Sequence, residues 1–197
     1  MTAVTTSAHS GRLLERDAEL AALREAIATA RAGNGALVYV EAPAGLGKTE
    51  LLTTICAEAA RDGDVLRAHG GQVERDVALG VARQLFAPVA ALSAGERAKL
   101  LSGAAALAAG PLGLAEAARA DAPAAADPSF ADFHGLYWLT ANLAARGPLV
   151  IAVDDAHWLD PLSLRWLLCA TRSPRPAQAV ARWSTLRRRP GSARPSC

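Results

Sequence analysis

An α/β fold built on a parallel sheet is what this sequence predicts, and three observations carry the prediction. Two short apolar runs, Leu37-Val38-Tyr39-Val40 and Leu149-Val150-Ile151-Ala152-Val153, read as buried strands. Segments with Leu, Ile and Ala at helical spacing alternate with such runs along the chain. A glycine-rich turn joins the first strand directly to a helix. No internal repeat of any period is visible.

Residues 17–32 place Leu20, Leu23 and Ile27 on one face with Glu19 and Glu25 between them, an amphipathic helix that Gly33-Asn34-Gly35 stops. The strand at 37–40 is bounded by glycine on one side and Pro43 on the other. After the turn, residues 48–61 are helical as far as Asp62-Gly63, and residues 65–68 form a weaker second strand. Helices are expected over 76–91, with Val77, Val81 and Leu85 on one face, and over 95–109, ahead of Pro111 and Gly113. Residues 115–127 hold few bulky groups and carry Pro123, so they read as loop or frayed helix.

Helical spacing returns over 130–146 through Phe133, Tyr137, Leu139 and Leu143, a segment expected to dock on the core until Gly147-Pro148 ends it. The run 149–153 is apolar throughout, as a parallel strand covered on both faces requires, and Asp154-Asp155 close it. Asp160-Pro161 then supply an N-cap and a first-turn proline for a helix reaching about residue 169.

Composition bounds what the chain can be. Its 197 residues, 51% hydrophobic and 20% charged, suffice for one domain with a core and exclude a wholly disordered chain. Much of the apolar share is alanine, which favours helix but buries little surface. The formal charge of +2 hides an asymmetry: residues 172–197 hold seven arginines and no acid, leaving a body at −5 and a tail at +7. Such a body has no general electrostatic reason to approach nucleic acid or an anionic membrane.

Three widely spaced cysteines, Cys56, Cys169 and Cys197, form no CxxC pair and argue against a disulfide scaffold or zinc site. Residues 1–11 are polar and unlike a signal peptide, and no apolar stretch is long enough to span a bilayer, so a cytoplasmic location is expected. The organisation expected is a disordered N-terminus over 1–11, a domain over 12–171 and a disordered basic tail over 172–197 that carries four prolines.

The turn after the first strand reads Ala42-Pro43-Ala44-Gly45-Leu46-Gly47-Lys48-Thr49, which meets the phosphate-loop pattern GxxxxGK[ST] at every defined position but the first. Gly45 and Gly47 allow a backbone tight enough to point several N–H groups inward, and the next helix adds its positive end. Lys48 would reach the β- and γ-phosphates, and the Thr49 hydroxyl would ligate Mg²⁺. The second half of such a site is an acidic strand end, which 149–155 supplies. Asp154 would hold Mg²⁺ through water, and Asp155 would orient or deprotonate an attacking water as a general base. Alone, two aspartates after a strand read more readily as turn residues; following a phosphate loop in the right chain order, they favour a nucleotide site.

Three segments of the chain resemble the ATPase domain of the large ATP-binding regulators of the LuxR family, an AAA-like branch of the STAND ATPases. They are Leu13-Leu14-Glu15-Arg16-Asp17-Ala18-Glu19-Leu20, VEAPAGLGKTELL at 40–52 and PLVIAVDDAHWLDPLSLRWL at 148–167, of which DDAHWLD is the most specific. The resemblance implies a three-layer phosphate-loop NTPase core with ATP and Mg²⁺ as cofactors. ATP binding would change the shape of a longer regulator whose helix-turn-helix, absent from this chain, meets DNA. It adds Arg16 to Gly45, Leu46, Gly47, Lys48 and Thr49 as nucleotide-binding residues, gives Thr49 and Asp154 to the metal, and makes Asp155 the catalytic acid. ATP or ADP is then the expected partner; self-association is compatible with it.

In this family the strand after the acidic one lies between the phosphate-loop strand and the acidic strand, and no apolar run after Cys169 fills that role. The core is therefore expected to be incomplete at its C-terminal side, the chain to be a truncated or frame-shifted regulator, and ATP hydrolysis to be weak or absent. The alternative is a non-catalytic interaction or nucleic-acid-binding remnant acting through the basic tail. His157 and Trp158 just past the acids could couple nucleotide state to a helix, or simply be buried at a helix start. His9, His69 and His134 show no metal-ligand spacing.

Overall fold

The computed structural model describes residues 16–35, 38, 40–41, 46–114, 130–172, 180–183 and 185–186. Strands β1 (Val40–Glu41), β2 (Asp64–His69), β3 (Leu149–Asp154), β4 (Val180–Trp183) and β5 (Thr185–Leu186) all pair in parallel. One ladder runs β2-β3-β4, with Asp64 opposite Leu149 and Leu149 opposite Val180. The other joins β1 to β5, with Val40 opposite Thr185. Because β4 and β5 are one residue apart, the segment 180–186 borders β3 through one strand and β1 through the other.

That segment corrects the sequence reading, which found no strand after residue 169 and expected an inner strand to be missing. Its residues, Val180-Ala181-Arg182-Trp183 and Thr185-Leu186, form no apolar run, and four residues are too few to show a period. Pairing here is a matter of backbone: β4 satisfies the N–H and C=O groups along one edge of β3 while β2 satisfies the other.

Helices α1 (Asp17–Arg31), α2 (Lys48–Ala59), α3 (Gln72–Arg75), α4 (Gly80–Ala90), α5 (Ala94–Leu100), α6 (Phe130–Ala144) and α7 (Pro161–Arg172) complete the described elements, with 3₁₀ turns at Gly103–Ala109 and Ala156–Trp158. Alternation along β3 sorts the core into two. Leu149, Ile151 and Val153 enter a cluster with α4, α6 and α7, where Phe86 packs on Trp166 with ring centres 5.3 Å apart. Val150 and Ala152 enter a second cluster with Leu20, Leu23 and Ile27 of α1 and Leu51, Leu52 and Ile55 of α2. A strand buried on both faces is what the run 149–153 calls for.

Two helices differ from expectation. The helix expected over 76–91 starts only at Gly80, after Leu79, whose φ of 57° is left-handed, and α3 at 72–75 precedes it where no helix was expected. The segment expected as 95–109 becomes α5 and a 3₁₀ turn, separated at residues 101–102, with Gly103 at φ 63° opening the turn. α5 starts at Ser93, whose Oγ accepts the Glu96 N–H at 3.3 Å while its hydroxyl donates to the Glu96 carboxylate at 2.6 Å. α6 docks as expected through Leu136, Leu139 and Leu143, although Phe130 at its start is 83% exposed. The expected loop over 115–127 and the polar start over 1–11 lie outside the described residues. Among the described residues no helix is long and apolar enough to cross a membrane.

Candidate functional site

Parallel strands end on one edge of their sheet, and loops beyond those carboxyl ends are where α/β sheets place their chemistry. Here β1 leads into the glycine-rich turn, β2 ends at His69 and β3 ends at Asp154, with His69 and Asp154 opposite each other in the ladder. Residues 42–45, Gly45 among them, lie outside the described residues, and the turn resumes at Leu46.

Gly47 follows with φ 71° and ψ 22°, a left-handed conformation that glycine adopts without strain, and it caps α2. Lys48 and Thr49 are the first residues of α2, where backbone N–H groups have no partner within the helix and the helix dipole is positive. Arg16, just before α1, donates from Nη2 to the Leu46 carbonyl at 2.6 Å and from Nη1 to Glu19 Oε1 at 2.8 Å. Residues from two separate parts of the chain therefore meet at the turn.

On the acidic side, Asp154 is only 7% exposed and its carboxylate is engaged at both oxygens. Oδ1 accepts the Asp155 N–H at 3.0 Å, and Oδ2 accepts the Thr49 hydroxyl at 2.8 Å. The Thr49 bond joins the two half-sites that the sequence placed far apart. Asp155 is left-handed at φ 49°, and its carboxylate faces His69 Nε2 and His157 Nδ1, each at 3.9 Å. A neighbouring backbone makes this turn tight: Gly70 N–H donates to the Asp154 carbonyl at 2.8 Å, and a Cβ at Gly70 would lie 2.5 Å from the Asp155 carbonyl oxygen.

The segment after the acids is tied into the fold. His157 and Trp158 pack with ring centres 5.0 Å apart and planes tilted by 43°, and the Arg75 guanidinium lies 5.9 Å from the Trp158 ring. Asp160, 1% exposed, accepts the Ser163 N–H at 2.9 Å as the N-cap the sequence indicated. It also accepts the N–H groups of Leu79 at 3.0 Å and Val81 at 3.4 Å, and Ser163 Oγ accepts that of Ala82 at 3.0 Å. One buried carboxylate thus caps α7 and holds the left-handed turn that opens α4.

Of the residues singled out by sequence, Arg16, Leu46, Gly47, Lys48, Thr49, Asp154 and Asp155 fall within the described parts. Direct hydrogen bonds pair Arg16 with Leu46, Thr49 with Asp154, and Asp154 with Asp155. Sequence reasoning missed His69 beside Asp155 and the second role of Asp160. The usable signal for His69 was its place at the end of the strand next to β3. The donor set suits a hard cation: the hydroxyl oxygen and carboxylate oxygen 2.8 Å apart are the ligand types Mg²⁺ takes, and Mg²⁺ needs only one or two from protein. A helix N-terminus carrying Lys48 suits phosphate, and the partly exposed Asp155 carboxylate is a proton acceptor.

The sequence profile described as AAA ATPase domain matches residues 12–181. The match runs through Arg16, the glycine-rich turn, the acidic strand end and into β4. No curated protein matches the chain significantly.

Proposed function

The chain belongs to the AAA ATPase domain family, and from that premise we propose that it is an ATP-binding, Mg²⁺-dependent regulatory domain of a LuxR-type transcriptional regulator. Its core is a three-layer phosphate-loop NTPase arrangement of the STAND branch. Lys48, Gly45, Leu46, Gly47 and the first amides of α2 hold the phosphates. Thr49 and Asp154 would hold Mg²⁺, which when bound would shield phosphate charge. Asp155 would accept the proton of an attacking water, with hydrolysis weak or absent. DNA contact falls to a separate helix-turn-helix.

The observation that carries this reading is the 2.8 Å bond between Thr49 and Asp154, which sets the motif after β1 against the motif after β3. Calorimetric titration of the folded chain with Mg·ATP, beside Lys48→Ala, tests it. Saturable binding in the wild type that disappears in the variant supports the assignment. A folded wild type that binds no nucleotide would refute it.

A further inference from the structure

The resemblance gives Arg16 to the nucleotide, and the structure shows that the contact it makes is with the backbone of the glycine-rich turn. Its side chain is 19% exposed, and its two terminal nitrogens are divided between the Leu46 carbonyl at 2.6 Å and the Glu19 carboxylate at 2.8 Å. In a planar trans peptide the C=O and N–H point in opposite directions. A guanidinium that fixes the Leu46 carbonyl therefore also fixes the Gly47 N–H, aiming it away from Arg16. Gly47 is left-handed and opens α2, so this N–H belongs with the first amides of the helix, beside Lys48 and Thr49. The charge on Arg16 is opposed at contact distance by Glu19, which weakens it as a long-range attractor of polyphosphate.

We propose that Arg16 is a positioning residue for the phosphate loop: it fixes the Leu46–Gly47 peptide plane so that the Gly47 amide faces the phosphates, and it acts on the nucleotide without touching the base. The proposal rests on the reading of this turn as a nucleotide site. It predicts that loss of Arg16 weakens every ligand carrying the same phosphates by the same factor, whether or not a nucleoside is attached. Glu19 holds the guanidinium in place, so Glu19→Gln weakens the same ligands by a smaller factor.

The experiment is titration of the full chain with ATP and with inorganic tripolyphosphate, both with Mg²⁺, for wild type, Arg16→Ala, Arg16→Lys and Lys48→Ala, each checked for folding by circular dichroism. A charge-assisted hydrogen bond that orients a binding group is worth roughly tenfold in affinity. Arg16→Ala is expected to weaken both ligands about tenfold and equally. Arg16→Lys, with one nitrogen to share between Leu46 and Glu19, weakens both equally but less. Loss confined to ATP would show direct contact with the nucleoside and overturn the proposal, as would unchanged affinity for both ligands. Should Arg16→Ala fail to fold, Arg16→Lys carries the same test. A wild type that binds neither ligand, or a Lys48→Ala that binds as well as wild type, would instead remove the underlying assignment.

Discussion

The two halves of the candidate site are built differently. Asp154 and Asp155 end a strand buried on both faces between two core clusters, and the turn after them is locked by the buried Asp160 and Ser163. The phosphate-loop half is carried by α2, which packs with α1 in the second core cluster, and the two are further joined across the surface by Arg24 to Glu58 at 2.7 Å and, just past α2, by Arg31 to Asp62 at 2.8 Å. Buried polar groups hold their geometry because losing a partner is expensive, whereas exposed ion pairs contribute little. The acidic half is held by buried hydrogen bonds, the loop half by apolar packing of α1 and α2 supplemented by exposed ion pairs.

The largest expected effect comes from breaking the acidic half. Asp160→Ala leaves the buried amides of Leu79 and Val81 without their acceptor and uncaps α7, which should lower unfolding free energy by about 3–5 kcal/mol in a denaturant titration. A loss below about 1 kcal/mol would mean that this carboxylate does not organise the turn.

A smaller effect, opposite in sign, sharpens the contrast within that half. Asp155 occupies a left-handed conformation that glycine adopts freely, so Asp155→Gly should keep or raise stability, by up to about 1 kcal/mol, while abolishing whatever ATP hydrolysis the wild type shows. Equal loss of stability and hydrolysis would make Asp155 a structural residue.

The smallest effect belongs to the loop half. The hydrogen bond from Arg24 holds the Glu58 carboxyl below its ordinary range. A depressed folded-state value contributes stability that is present above the unfolded value and lost as pH falls through the folded one. Glu58→Gln should therefore lower the melting temperature only slightly near neutral pH, and the difference from wild type should vanish in acid. A large decrease that persists at low pH would show that Glu58 contributes through something other than the charge of this pair.

What could be read from the sequence follows the same division. β3 was legible because five consecutive apolar residues leave a parallel strand as the simplest reading, and Asp154-Asp155 mark where it meets water. The glycine-rich turn was legible because Gly47 and Lys48 have few other reasons to stand together at a helix start. β4 and β5 were not, because pairing through the backbone leaves no apolar period over so few residues, and Arg182 breaks what pattern there is. Nor could the late start of α4 at Gly80 be seen, since the left-handed turn before it is held by Asp160, far along the chain, which accepts the Leu79 amide. His69 carried no motif; only the pairing of β2 with β3 brings it beside Asp155.

The central claim is that both halves form one Mg²⁺-dependent site, joined at Thr49 and Asp154. The direct measurement is ATP affinity with and without Mg²⁺ for wild type, Thr49→Val, Asp154→Asn and the double variant. The account predicts that Mg²⁺ strengthens wild-type binding, that each single variant loses most of that gain, and that the double variant loses little more than either alone. Full Mg²⁺ enhancement in both single variants, or losses that simply add, would contradict it.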